Sequence, residues 1–188
     1  MQNSTSTIIA LFVAGILIFI VPLVTLTDRS DNVAQENVKK IVEDFVTEVR
    51  NTGKLTRTQF QNFEDKLDGT GNVYDIEMQI QILDENPGKK KAQSNYTKIG
   101  ENVYYTQYTT QILPQIGIKV DNQLLTNEQK DSTTMYLKEG DIITVDVKNE
   151  NSTAAQTLKS SFIGFSNAGE YAISASASGM ITVNGVQN

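Results

Sequence analysis

Two acidic pairs, Asp75/Glu77 and Asp84/Glu85, carry the groups that general acid–base work needs, one carboxyl to give a proton and another to take it. Asp68-x-Thr70-x-Asn72 sets oxygen ligands at alternate positions, as a calcium loop begins. An EF-hand would continue with Gly where Val73 stands and Glu where Gln79 stands, so the match ends there. The run reads instead as a helix end followed by a Gly/Asn turn. On a strand of alternating residues, Asp75 and Glu77 read as its solvated face. Tyr104, Tyr105, Tyr108 and Tyr136 suggest a stacking surface, but no basic residues are interleaved with them, so core or interface packing is the expectation. Lys89-Lys90-Lys91 lies on a turn and reads as solvated, and Gly69-x-Gly71 does not lie between a strand and a helix as a phosphate loop would.

Composition narrows the chemistry further. The 188 residues include no His, no Cys and no Trp. That removes the commonest general base, thiol nucleophiles, disulfides and cysteine metal sites. A net charge of -6 disfavours a nucleic-acid partner, whose phosphates call for a basic surface. No cofactor, no metal and no catalytic residue is expected, and the chain reads as a non-enzyme.

The elements that would position these residues are of two kinds. Residues 1–27 carry no charge, and Ile8 to Leu26 reads IIALFVAGILIFIVPLVTL. At 1.5 Å of rise per residue this run nearly crosses a ~30 Å hydrocarbon layer as a helix. A secretory signal would bring a basic leader and a small-x-small cleavage site; Met1–Thr7 has no Lys or Arg, and Leu26-Thr27-Asp28-Arg29 offers no such site. The expected organisation is a short polar stretch over residues 1–7, a transmembrane helix over 8–27, an amphipathic helix over 28–52 that continues the span, and a soluble α+β head over 53–188. Pro22 is the expected bend. Arg29, Lys39 and Lys40 follow the span and none precedes it, but they are interleaved with Asp28, Asp31 and Glu36, so the positive-inside rule orients the chain only weakly.

From Val33 to Val49 the apolar positions Val33, Val38, Ile41, Val42, Phe45, Val46 and Val49 recur at helical spacing and form one stripe. Glu36–Lys40, Lys39–Glu43 and Lys40–Asp44 fall at i,i+4 on the polar side, and Gly53 suits the left-handed position after the helix. Thr56 and Gln59 fit a capping box for a second helix with Phe60, Phe63 and Leu67 on one face. Ile76, Met78, Ile80 and Ile82 then alternate with polar residues, as do Ile143, Val145 and Val147: two half-buried strands. Asn86-Pro87-Gly88-Lys89 is a turn and Lys89–Asn95 a polar loop. Val103–Leu113 fits strand or helix equally. Ile173, Ala175 and Ala177 alternate with serines, and Gly179 separates them from Met180–Val186; the expectation is a C-terminal hairpin with small inner side chains that leave room for something bulky. The sheet should be mostly antiparallel.

Three stretches resemble a known family: the anchor-plus-helix of residues 8–52, the run from Phe45 to Gln81, and Leu137 to Lys148 with the Ser/Ala-rich end. They are similar to type IV pilin-like proteins, closest to the minor pilins and pseudopilins of tight-adherence (TadE-like) systems in Gram-positive bacteria. The resemblance implies a membrane-anchored structural subunit of a pilus-like assembly at the cell surface. Its partners would be the lipid bilayer and other pilin-like subunits or assembly-platform proteins, in a homo- or hetero-oligomer, with the C-terminal domain extracytoplasmic. Ile8, Leu11, Phe12, Ala14, Gly15, Phe19 and Pro22 would serve membrane and helix packing. Val38, Ile41, Val42, Phe45 and Val49 would pack on the head or on neighbouring subunits. Type IV prepilins place a Gly before the hydrophobic stretch and a Glu at the fifth mature position. Here residues 1–7 hold no Gly and Ile8–Leu26 no Glu, which points to an uncleaved membrane-resident component. The alternative from a different class is a single-pass tethered binding or accessory protein of a secretion or conjugation machine.

Overall fold

The computed structural model describes residues 2–84, 104–120, 125–126, 129, 131–163 and 173–185. Its first element, α1, runs without interruption from Gln2 to Thr52, about 75 Å at 1.5 Å per residue. Pro22 lies inside it and does not end it. In the turns that follow, Thr25 Oγ1 donates to the Val21 carbonyl at 2.9 Å and Thr27 Oγ1 to that of Val24 at 2.9 Å. The helix stops at Gly53, whose φ of 61° turns the chain left-handed while its N–H reaches the Val49 carbonyl at 2.9 Å.

The remaining elements are β1 (Lys54–Thr56), α2 (Arg57–Asp68), β2 (Tyr74–Leu83), β3 (Tyr104–Tyr108), α3 (Thr109–Gln115), β4 (Thr134–Tyr136), β5 (Ile142–Asn149), α4 (Ala154–Ile163) and β6 (Ser174–Met180). β3, β2, β5 and β6 form a four-stranded sheet in that order, and β1 pairs with β4; every pairing is antiparallel. The chain is therefore α+β, with a long N-terminal helix and an antiparallel sheet. Register follows from the alternation: Ile80, Ile143 and Gly179 share one row, and Met78, Val145 and Ala177 the next. Glu77, Asp146 and Ser176 make a row on the opposite, solvent face.

Val38, Val42, Phe45, Val46 and Val49 of α1 join Phe60, Phe63, Met78, Ile80, Ile143 and Val145 in one core. Phe45 stacks on Phe63, ring centroids 4.3 Å apart. The α2 capping box forms: Gln59 N–H donates to Thr56 Oγ1 at 3.1 Å, and Thr56 N–H to Gln59 Oε1 at 2.9 Å. The small inner side chains of β6 do admit something bulky, and it is α1 itself. Gln35 bonds both backbone groups of Ser174, and Arg50 Nε donates to the Met180 carbonyl at 2.9 Å. The two anchor points lie about 22 Å apart along the helix and about 20 Å apart along the strand, so α1 and the edge strand β6 run side by side in one direction.

Two expectations need correction. No C-terminal hairpin forms among the described residues. Gly179 sits inside β6, where a Cβ would lie 2.2 Å from Arg50 Cδ, and the peptide groups beyond Met180 turn to other partners. Thr182 N–H donates to Arg50 O at 3.2 Å, Ile181 N–H to Asp141 O at 2.7 Å and Gly185 N–H to Leu137 O at 2.8 Å. Val33 leaves the stripe and is exposed, because the head does not extend over that side of α1. Of the expected core or interface packing, Tyr105, Tyr108 and Tyr136 do not take the core position: they are exposed, and Lys54 Nζ lies 5.6 Å from the Tyr136 ring centroid. The ambiguous stretch near residues 103–113 is strand and then helix in turn, β3 leading straight into α3. The turn at Asn86–Lys89 and the loop Lys89–Asn95 lie outside the described residues.

Candidate functional site

The acidic pairs come first, because a reaction would need them to converge. Asp75 and Glu77 lie on the solvent face of β2, and Glu77 Oε2 is 3.6 Å from Lys148 Nζ on the neighbouring strand. Asp84 follows β2, and Glu85 lies outside the described residues. Two of the three oxygens of Asp68-x-Thr70-x-Asn72 are engaged within the fold: Thr70 Oγ1 donates to the Leu67 carbonyl at 2.8 Å, and Asn72 Oδ1 accepts from Asn151 Nδ2 at 3.2 Å. Among the described residues no group of three or more Asp and Glu could hold a metal ion.

The buried carboxylate is one that pattern reading passed over. Asp141, 2% exposed, accepts from Leu83 N–H at 2.9 Å and from Lys138 N–H at 2.8 Å. It ties the end of β2 to the turn before β5, a structural use of a charge-assisted bond. Arg57 is used similarly, donating to the carbonyls of Ile116 at 2.9 Å and Ser132 at 3.0 Å.

What stands out physically is the uncovered half of α1. Ile8, Leu11, Phe12, Ala14, Phe19 and Pro22 are all exposed, Phe12 at 73% and Phe19 at 79%. A Cβ added at Gly15 would meet nothing within 4 Å, so that side of the helix is open to close approach. Twelve large apolar side chains between Ile8 and Leu26 face outward. At 1.5–3 kcal/mol for burying each, their exposure to water would forgo on the order of 20 kcal/mol, far more than a domain's whole stability. The helix is long and apolar enough to cross a membrane.

The other half of α1 is divided lengthwise. Val38, Val42, Phe45 and Val49 are buried against the head and Ile41 is half-buried. Glu36, Lys39, Lys40, Glu43 and Asp44 are exposed on the far side. A cleft of about 310 Å³ runs between α1 and α2, with Ile41, Phe45 and Phe63 below and Glu48, Asp65 and Lys66 around it.

Asp31 bonds the helix to the head, its Oδ2 accepting from Thr153 Oγ1 at 2.6 Å. Thr153 is 4% exposed and caps α4: Gln156 N–H donates to its hydroxyl at 3.3 Å and its own N–H donates to Gln156 Oε1 at 3.0 Å. Sequence reasoning missed α4, although Thr153-x-x-Gln156 is the same signature that revealed α2. Compared with protein-family models, curated proteins and solved structures, the chain matches none.

Proposed function

We propose that the chain is a membrane-anchored structural subunit of a type IV pilus-like or tight-adherence-like assembly, working through helix packing and head contacts rather than through catalysis. One observation carries this reading. A single unbroken helix is apolar on all sides over Ile8–Leu26 and is then gripped by a folded head from Asp31 to Gly53. The anchor is therefore stiffly coupled to the head, with no flexible tether between them. A protein that only needed holding near a membrane could use a disordered linker. A rigid rod instead fixes the distance and angle of its head relative to a neighbour's rod, as a subunit of an ordered array requires. The same apolar surface would contact lipid before assembly and other helices after it, with Ala14 and Gly15 allowing close approach. The exposed charges from Glu36 to Asp44 would face adjoining subunits above the bilayer.

The native chain has no Cys, so single cysteines report without background. Disulfide crosslinking of Phe12→Cys, Gly15→Cys and Phe19→Cys in native membranes should give dimers from positions on one helix face and larger species when two faces are combined. Monomer from every position, in membranes where the protein is correctly inserted, would overturn the assembly reading and leave only an anchor.

A further inference from the structure

We infer that α4 is a second membrane contact, lying against the headward end of the span and entering the same leaflet; the inference rests on the reading of α1 as a membrane helix. Below Asp31 the head's core has ended, yet α1 is not uniformly exposed. Asp31, Asp28, Thr27, Val24 and Ile20 are half-buried, while Val21, Leu23, Thr25, Leu26, Arg29 and Ser30 are exposed. At 100° per residue those five positions fall on one face, the same face that carries Val38 and Val42 higher up. α4 packs against α1, and its N-cap is bonded to Asp31. Its ten residues extend about 15 Å, and Ile20 lies about 16 Å below Asp31 along the axis. A helix that starts at Asp31 and follows this face downward covers that row of residues, and Ala155, 2% exposed, lies at its start. Val24 and Ile20 belong to the apolar run, so α4 descends beside residues that lie in the hydrocarbon.

The chemistry of α4 suits that depth. Between Glu150 and Glu170 the sequence carries one charged residue, Lys159, and a single lysine is tolerated near the headgroups. The exposed hydroxyls of α4 are satisfied within the helix: Thr157 Oγ1 donates to Thr153 O at 3.0 Å, Ser160 Oγ to Thr157 O at 3.0 Å and Ser161 Oγ to Thr157 O at 2.8 Å. Polar side chains bonded to their own backbone can face lipid without an unmet donor. Thr25 and Thr27 on the span do the same.

The test uses full-length protein in phospholipid vesicles, with single cysteines Ser161→Cys on α4, Phe12→Cys in the span and Ser176→Cys on the solvent face of β6. A membrane-impermeant maleimide reads access to water. Ser161→Cys should react about tenfold or more slowly than Ser176→Cys, since exclusion from water suppresses the reactive thiolate, and detergent should abolish the difference. Equal rates at 161 and 176 with Phe12→Cys protected would overturn the placement of α4 while leaving the span intact. Fast labelling at Phe12→Cys would overturn both, because no bilayer would then surround α1.

Discussion

Gly53 and Gly185 meet backbone to backbone: a Cβ added to Gly185 would stand 2.1 Å from the Gly53 carbonyl oxygen. Gly53 O accepts from Leu137 N–H at 2.8 Å, and Gly185 N–H donates to Leu137 O at 2.8 Å, so three chain segments cross at this point. The end of α1 is thus clasped by residues 181–185. Gly185→Ala should lower stability by on the order of 2 kcal/mol, because the contact is with backbone that cannot swing aside. Chemical denaturation of the variant checks this; an unchanged midpoint would mean that the clasp yields freely.

The hooks on β6 give a second prediction. An edge strand offers unpaired backbone groups to other chains, and Gln35 occupies those of Ser174. Gln35→Ala should cost about 1 kcal/mol and speed amide exchange at Ser174, whose N–H now donates to Gln35 Oε1 at 2.9 Å. Exchange at Val145, in the sheet interior, serves as the control and should stay slow.

The aromatic junction of α1 and α2 is worth more. Phe63→Ala removes a buried ring stacked on Phe45 and 6.3 Å from the Phe60 ring. A loss of about 3–5 kcal/mol is expected, and the double variant with Phe45→Ala should lose less than the two singles together. Strict additivity in thermal or urea unfolding would show the stacked pair to be energetically independent.

Glu64 supplies a pH dependence. Burial, aided by the charges of Asp68 and Asp65, raises its carboxyl above the ordinary 4.5. The folded chain therefore takes up this proton at higher pH than the unfolded chain. Its contribution to stability is least favourable at neutral pH, grows as pH falls through the raised value, and is complete below 4.5. Glu64→Gln should be more stable than the parent at pH 7, with the advantage shrinking as pH falls through the raised value to 4.5. A constant difference across that range would remove Glu64 as its source.

Legibility divides along physical lines. The long helix, its stop at Gly53, the capped α2 and the strands β2 and β5 were readable because each is set by local spacing, capping or alternation. β1 and β4 are three residues each and exist through each other, so no local signal marks them. α4 had a local signal in Thr153-x-x-Gln156, and Thr126-x-x-Gln129 repeats it, with Gln129 N–H donating to Thr126 Oγ1 at 3.3 Å. Which tyrosines would be exposed was not legible, because aromatic character says nothing of which side of an edge strand is covered.

By itself the sequence determined a chain of two materials, an uncharged apolar helix and a polar α+β head, since charge and periodicity are properties of residues and their neighbours. It also determined which face of α1 could be buried. Only the tertiary structure decided what covers that face. From Asp31 to Gly53 it is the protein's own head, with Gln35 and Arg50 gripping β6 and the 181–185 segment closing over Gly53. Those contacts join residues more than a hundred positions apart, and such pairings are set by three-dimensional packing, which no local pattern encodes.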